Sequence, residues 1–546
     1  MDFAHRCGNR AWQTGVTAFA VIADPHFHDT DYAGAGGAPF LRTLVDTAES
    51  TRVFNESAPA FRAALDDVAA RGIKLVVIVG DLTDDGQAYA LSGALALLED
   101  YTTRFSMRFF MTPGNHDLFA REGRHQSKRI LRADGGYDLV TSDPDAVDAG
   151  AVERIVTQAM YCGGYDTNIA AMARLGFTRQ AGDLHWESPF GADDAIATRL
   201  YDVVSEDGAL GAQMVDASYL VEPEEGLWLL SLDANVYRPS ATGFFDSSEA
   251  GWNAALVHKP FLLDWAADVA ARARLLGKQL VVFSHYPVVD PLDGTHVHEL
   301  ALLGTTTFAR RMPDVAVSQA FAAAGVRCHF SGHWHINDMA RFGEGAEALV
   351  NIAVPAPVAF PPAYKICALD GDKLSVETVM LRAIAGFDVG FERYAAERAL
   401  TGYDAEGLDE ASDHFGFITR HLALLVRDRY LPREWPEPLR AALVSASLGE
   451  VALRVSETLP PAIAELADLP FMQVIIDWYR LRKASDLALV DIDPKRVAAY
   501  AELVDLFTGQ DWPEGSVEQQ LAIFASMLQS YGNGLPATRF EIDLGR

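Results

Sequence analysis

The chain has 546 residues, 49% of them hydrophobic and 22% charged, enough apolar material for a large core and too little polarity for a disordered chain. Its formal net charge of −30 disfavours nucleic acid or an anionic membrane as the main partner, because both are repelled at long range. No apolar run approaches the ~20 residues that a membrane helix needs, and the opening residues 1–15 lack a signal-peptide apolar region, so the expected location is cytoplasmic.

Short apolar runs rich in β-formers alternate with helical patterns through roughly the first 380 residues. Taken in order, strands are predicted in TAFAVIAD (17–24), IKLVVIVGD (73–81) and MRFFMTPGN (107–115), with helices over Pro59–Arg71 and Ala88–Tyr101 between them. A stretch of about 118–217, rich in Gly, Asp and scattered aromatics, interrupts the alternation and is read as an inserted cap over the site. Strands resume in LWLLSLD (227–233), KQLVVFSH (278–285), VRCHFSGH (326–333) and ALVNIAV (348–354), alternating with helices over Pro260–Leu276 and Pro313–Ala324. A hairpin follows, Tyr364–Leu369 and Lys373–Leu381 around Asp370-Gly371-Asp372. This order predicts α/β layers with functional groups at strand ends, in a domain spanning 12–383. Beyond about Ala383 the strand signal stops and helical periodicity takes over, giving a mostly helical C-terminal region, 384–546.

Five segments put metal-binding side chains at predicted strand ends: Asp24-Pro25-His26, Gly80-Asp81, Gly114-Asn115-His116-Asp117, Ser284-His285 and Gly332-His333-Trp334-His335. Each alone is weak evidence; five in one order, all at strand-to-loop junctions, are not a coincidence of composition. Imidazole nitrogen mixed with carboxylate oxygen suits zinc, manganese or iron, whereas a structural zinc site would call for thiolates. Cys7, Cys162, Cys328 and Cys367 lie far apart with no CxxC spacing and are read as free thiols. The glycines Gly80, Gly114 and Gly332 mark sharp turns where the backbone must be approached closely.

The set DPH, GDLTDDG, GNHD, SHYP and GHWH resembles the calcineurin-like metallophosphoesterase superfamily, closest in motif style to bacterial class III cyclic nucleotide phosphodiesterases. The resemblance covers roughly residues 15–383 apart from the insertion. It implies a four-layer sandwich of two mixed β-sheets flanked by helices, and two divalent or mixed-valence transition-metal ions. Asp24, His26 and His335 would bind the first ion, Asp81 would bridge, and Asn115, His285 and His333 would complete the second site. A metal-bridging hydroxide would attack phosphorus in line. His116 would sit near the phosphate as charge stabiliser or general acid, with Asp117 as its orienting partner. Two carboxylates against two divalent ions leave a local positive excess, which reconciles an acidic protein with an anionic substrate.

The implied function is hydrolysis of a small phosphoester, with a phosphodiester (a cyclic-nucleotide-like one among them) preferred. The alternatives are a phosphomonoesterase acting on a small metabolite and a catalytically silent interaction scaffold. The long insertion and the helical C-terminal region depart from the compact cyclic-nucleotide enzymes. Asp84, Asp85 and His28 lie beside ligands and could be either supporting groups or exposed ones. Arg121, Arg124, Lys128 and Arg132 recur at helical spacing, with His125 and Arg129 beside them; they form a solvated face paired with acids, or an anion clamp. His296 and His298 read as loop histidines, and Tyr161, Tyr165, Trp186 and Trp252 as packing residues. The C-terminal helices could dock a partner or a second copy of the chain.

Overall fold

The computed structural model describes residues 16–242, 245–246 and 251–545; Cys7 and the opening residues read above lie outside them. Two mixed sheets form the centre. The first, of six strands, runs in the order Arg539–Asp543, Lys373–Met380, Ala363–Asp370, Val16–Ile22, Leu75–Val79, Arg108–Thr112. The second, of seven, runs Asp338–Phe342, Leu349–Ala353, Cys328–Ser331, Gln279–Phe283, Leu227–Ser231, Tyr219–Glu224, His185–Glu187. Strands such as LVVIV at 75–79 and LWLLS at 227–231 are buried along their whole length, as central strands covered on both faces should be. The sheets face each other through side chains such as Phe19 and Phe330, whose rings meet edge-on at 6.2 Å.

Helices close the outer faces. Ser57–Ala70 buries Phe61, Ala64, Leu65 and Val68 at helical spacing, and stops at Gly72, whose φ of +72° supplies the left-handed turn that ends it. Ala88–Phe105 lies beside it. Over the second sheet, Phe261–Leu276 and Val315–Ala323 enclose a separate apolar cluster that includes Trp252 and Phe321, with ring centroids 4.6 Å apart. The α/β sandwich is therefore as expected, with every predicted main strand present.

Three departures concern the expected insertion and C-terminal region. Residues 127–131 form a β-strand, not a helix, in a small sheet with Tyr137–Thr141 and Arg154–Val156. His185–Glu187, within the stretch read as a cap, instead edges the seven-stranded sheet by pairing with Tyr219–Glu224. The C-terminal region is helical as expected, through His414–Leu425, Phe471–Ala484, Pro494–Phe507 and Val517–Gly532, but Arg539–Asp543 then returns as an antiparallel strand beside Lys373–Met380. That pairing depends on a partner more than 150 residues away, so local periodicity carries no trace of it. Among the described residues, no helix is long and apolar enough to cross a membrane.

Candidate metal centre

Strands Val16–Ile22, Leu75–Val79 and Arg108–Thr112 are parallel neighbours in one sheet; Gln279–Phe283 and Cys328–Ser331 are parallel in the other. Their carboxyl ends lie together, and the five motifs leave from those ends. Five of the seven expected ligands take positive φ: Asp24 (51°), His26 (43°), Asp81 (49°), His333 (68°) and His335 (52°). Non-glycine residues adopt this region rarely and at a cost of about 1–3 kcal/mol each, and such residues gather where side chains must be aimed. The neighbouring glycines leave the necessary room: a Cβ on Gly114 would strike the Asp81 side chain, one on Gly332 would strike Asp24, and one on Gly80 would strike His285.

The donors converge as two groups. Asp24, His26 and His335 form one; Asp81, His285 and His333 form the other, each with its ligand atoms within 4.8 Å of one another. Asp81 lies between them, with Oδ2 3.7 Å from His26 Nε2 and 3.3 Å from His285 Nε2. Asn115 Oδ1 sits 3.0 Å from both His285 Nε2 and His333 Nδ1. The Nδ1–H of His285 donates to the Val79 carbonyl at 3.0 Å, which turns Nε2 inward as an acceptor. Acceptor atoms facing one another at such distances are reconciled by cations between them, so the donor set fits two metal ions.

Electrostatics agree with this. Burial, with the Arg52 charge adding to it, holds His26 well below its ordinary range, and burial likewise lowers His333 and His335, leaving imidazole lone pairs available as ligands. Burial would also lower His285, but the adjoining Asp81 carboxylate reverses this and raises it to about 9. Burial would raise Asp81, yet His285, His116 and His26 hold it well below the usual carboxylate range. The pocket draws positive charge to its centre.

The expected role of Asp117 is corrected. Its carboxylate accepts from the backbone N–H groups of Thr83 (3.1 Å) and Gly114 (2.9 Å), so it ties the GDLTDDG and GNHD loops together rather than touching His116. His116 is held by Asp85, whose Oδ1 lies 2.5 Å from Nδ1, with Arg52 Nη2 at 3.4 Å from the same nitrogen. The His116 backbone N–H donates to Asp81 Oδ1 at 2.7 Å, so the residue is fixed at both ends. Lys128 forms ion pairs with Asp85 and, at 3.3 Å, with Asp84; Arg42 and Arg52 complete the shell around Asp84 at 2.9 and 3.0 Å. Asp84 and Asp85 are thus buried supporting groups.

The basic run splits apart for the same reason that it is not a helix. On the strand at 127–131, Lys128 turns toward the site, while Arg129 pairs with Asp46 and Asp148. Arg121 pairs with Asp166, and Arg132 with Asp134 and Asp138. His28 is a structural histidine bonded to Tyr89 Oη (2.7 Å) and the Phe40 carbonyl (2.8 Å). His296 and His298 open a helix, His296–Leu303, rather than a loop, and His296 is bonded to Asp290 at 2.8 Å. Tyr165, Trp186 and Trp252 are packed in the core, and Cys162, Cys328 and Cys367 are buried free thiols. Arg42 and Arg52, which no motif marks, are the site residues that sequence reading missed.

A sequence model of the family described as calcineurin-like phosphoesterase matches residues 17–167. No curated protein matches the chain in sequence. Among solved structures, similarity is found to a dimetal phosphatase from Danio rerio (17% identity, 66% of this chain and 95% of that one, TM-score 0.36). It extends to a phosphopantetheinyl hydrolase from Mycobacterium tuberculosis (14%, 63% and 91%, TM-score 0.24). A third is GAP50, the anchor in the inner membrane complex of Plasmodium (9%, 67% and 85%, TM-score 0.27). Residues 17–167 thus match the calcineurin-like phosphoesterase family, and His285, His333 and His335, from beyond that segment, complete the two Asp/His groups.

Proposed function

We propose that the protein hydrolyses small phosphoesters, phosphodiesters in preference to monoesters, at a centre of two transition-metal ions. Asp24, His26 and His335 would hold one ion and Asn115, His285 and His333 the other, with Asp81 shared. The observation that carries this is the convergence of two three-residue donor groups about a single carboxylate between them. When bound, the ions would neutralise the phosphoryl oxygens and lower the pKa of an attacking water.

The remaining work falls to side chains of this protein. Asp85 accepts from Nδ1–H of His116, so a proton given to the leaving oxygen would come from Nε2–H of the imidazolium form. The His116 ring packs edge-on to His26 at 5.1 Å, so this donor stands beside the ligand cluster, where a leaving oxygen would need a proton. Lys128 and Arg52 keep Asp85 charged: burial alone would raise it, but Lys128, His116 and Arg52 hold it well below the usual carboxylate range. The same acid would serve an alkyl or ribosyl leaving group, because an alkoxide leaves poorly without a proton.

The test is a panel of cyclic nucleotides, linear diesters and monoesters offered to manganese-, iron- and zinc-loaded protein. Turnover should be greatest on diesters. A higher kcat/KM on every monoester than on any diester would reject the preference, and no turnover with two ions bound would reject hydrolysis itself.

A further inference from the structure

The C-terminal helices do not merely follow the sandwich; they pack on the loop that carries His333 and His335. Asn337, two residues after His335, donates its backbone N–H to the Lys483 carbonyl at 2.8 Å and its side-chain amide to the Ala484 carbonyl at 3.2 Å. Asp338 accepts from Ser485 Oγ at 2.6 Å, and Ser485 has a φ of +48°. Between the two ligands, Trp334 stacks on Phe308 at 3.9 Å, and the Arg482 guanidinium lies over the other ring at 4.0 Å. Arg482 is itself fixed by a bidentate pair with Glu299, both bonds at 2.6 Å.

Next to Arg482, at the last turn of Phe471–Ala484, stands Lys483. The residue is 6% exposed. Among the described residues its ammonium has neither an ion-pair partner nor a hydrogen-bond acceptor, although Arg482 beside it is fully paired. The charged groups that act on it are Arg482, Glu434, Arg429 and Glu299, and the Lys483 charge in turn acts on His335. The side chain is thus buried along its stem while its ammonium keeps three donors that no protein group uses, a charge that gains from any anion able to reach it. Arg52, the other cation acting on His335, is already committed to the Asp84 carboxylate and carbonyl.

We propose that Lys483, supplied from outside the segment that matches the family, binds an oxyanion of the substrate at the His335 side of the metal centre. The inference rests on the phosphoesterase reading above, because it needs an anionic ligand beside the metals. Three donors on a flexible stem suit the dispersed charge of a phosphoryl group. Burial, aided by Arg482, pushes Lys483 down to about 7, so its protonated form gains strongly from an arriving anion. The oxyanion is either the reacting phosphoryl group or a second one on the same substrate, and inorganic phosphate and pyrophosphate distinguish the two.

The experiment is calorimetric titration of the manganese-loaded full chain with inorganic phosphate and with pyrophosphate. Wild type is compared with Lys483→Met, Lys483→Gln and Lys483→Arg, each checked for metal content and Tm. Loss of a charge-assisted contact should weaken binding about tenfold or more in the Met and Gln variants, and Arg should restore it to within about threefold. Weakening of both anions assigns the reacting phosphoryl group; weakening of pyrophosphate alone assigns a second oxyanion. Removing an unpaired buried charge should also raise Tm. Unchanged affinity for both anions, in neutral variants that keep two metals, overturns the proposal. So does failure of both neutral variants to fold, which would make Lys483 a structural residue. Because binding is read without turnover, a protein that hydrolyses nothing but still binds phosphate through Lys483 would reject only the hydrolase reading.

Discussion

Asp85→Asn is the substitution that bears most directly on how the chain's own residues assist phosphoester cleavage. The carboxylate lies 2.5 Å from His116 Nδ1 and is the only acid hydrogen-bonded to that ring among the described residues. Two unit charges about 4 Å apart at an effective dielectric constant near 20 interact by about 4 kcal/mol. Lys128 and Arg52 face the same carboxylate and take up part of that field, so roughly half, about 2 kcal/mol, should be lost from the protonated ring. That corresponds to about 30-fold in rate for a substrate whose leaving oxygen must be protonated. The amide keeps the shape and can still accept at Nδ1, so metal content and KM should hold. The assay is kcat on a ribosyl or alkyl phosphoester against a nitrophenyl phosphoester, whose phenolate leaves without help. A 30-fold loss on the first and less than about threefold on the second is expected. Equal losses on both would assign His116 to electrostatic stabilisation of the phosphoryl oxygens, and no loss on either would remove the pair from the reaction.

His116→Asn should slow the alkyl ester by roughly 10²–10⁴-fold with both metals retained, as general acid catalysis predicts, while sparing the nitrophenyl ester. Lys128→Glu should lower kcat through Asp85 rather than raise KM, and Arg121→Glu, on an exposed pair, should do neither; measurement at low salt, where a long-range clamp would show most, separates the two. Asp117→Ala leaves the Thr83 and Gly114 N–H groups without their acceptor, so it should cost about 1–3 kcal/mol by denaturant titration and loosen metal binding. Glu56, whose carboxyl accepts from Tyr394 Oη at 3.2 Å, is raised by burial from 4.5 to about 8. The folded state keeps this proton over that window while the unfolded state loses it, so stability should fall between about pH 4.5 and 8, and Glu56→Gln should flatten that slope in a series of Tm measurements.

The site was legible in the sequence because each ligand follows a short buried strand by two to four residues, and such strands announce themselves as apolar runs. The glycines that admit the ligands could be read for the same local reason. What was not legible depended on contacts across the chain. The spacing of Arg121, Arg124, Lys128 and Arg132 imitates a helix, but residues 127–131 pair with Tyr137–Thr141, and only Lys128 reaches the centre. Asp117 adjoins His116 in sequence, yet its side chain points to Thr83 and Gly114, whereas Asp85 arrives at His116 from a different loop. Arg539–Asp543 alternates too briefly to signal a strand, and only Lys373–Met380 makes it one. Lys483 sits in an ordinary amphipathic helix, and nothing in its own pattern marks a lysine whose carbonyl holds Asn337, two residues past His335.

The central claim is that Asp81 stands between two metal ions, and anomalous diffraction from manganese-loaded crystals tests it most directly. Two peaks are predicted about 3.5–4 Å apart, one flanked by Asp24, His26 and His335 and the other by Asn115, His285 and His333, with the Asp81 carboxylate between them. Elemental analysis of the same protein should give close to two ions per chain, and Asp81→Ala should lose most of both. A single peak, or two ions retained at full occupancy in Asp81→Ala, would contradict the account.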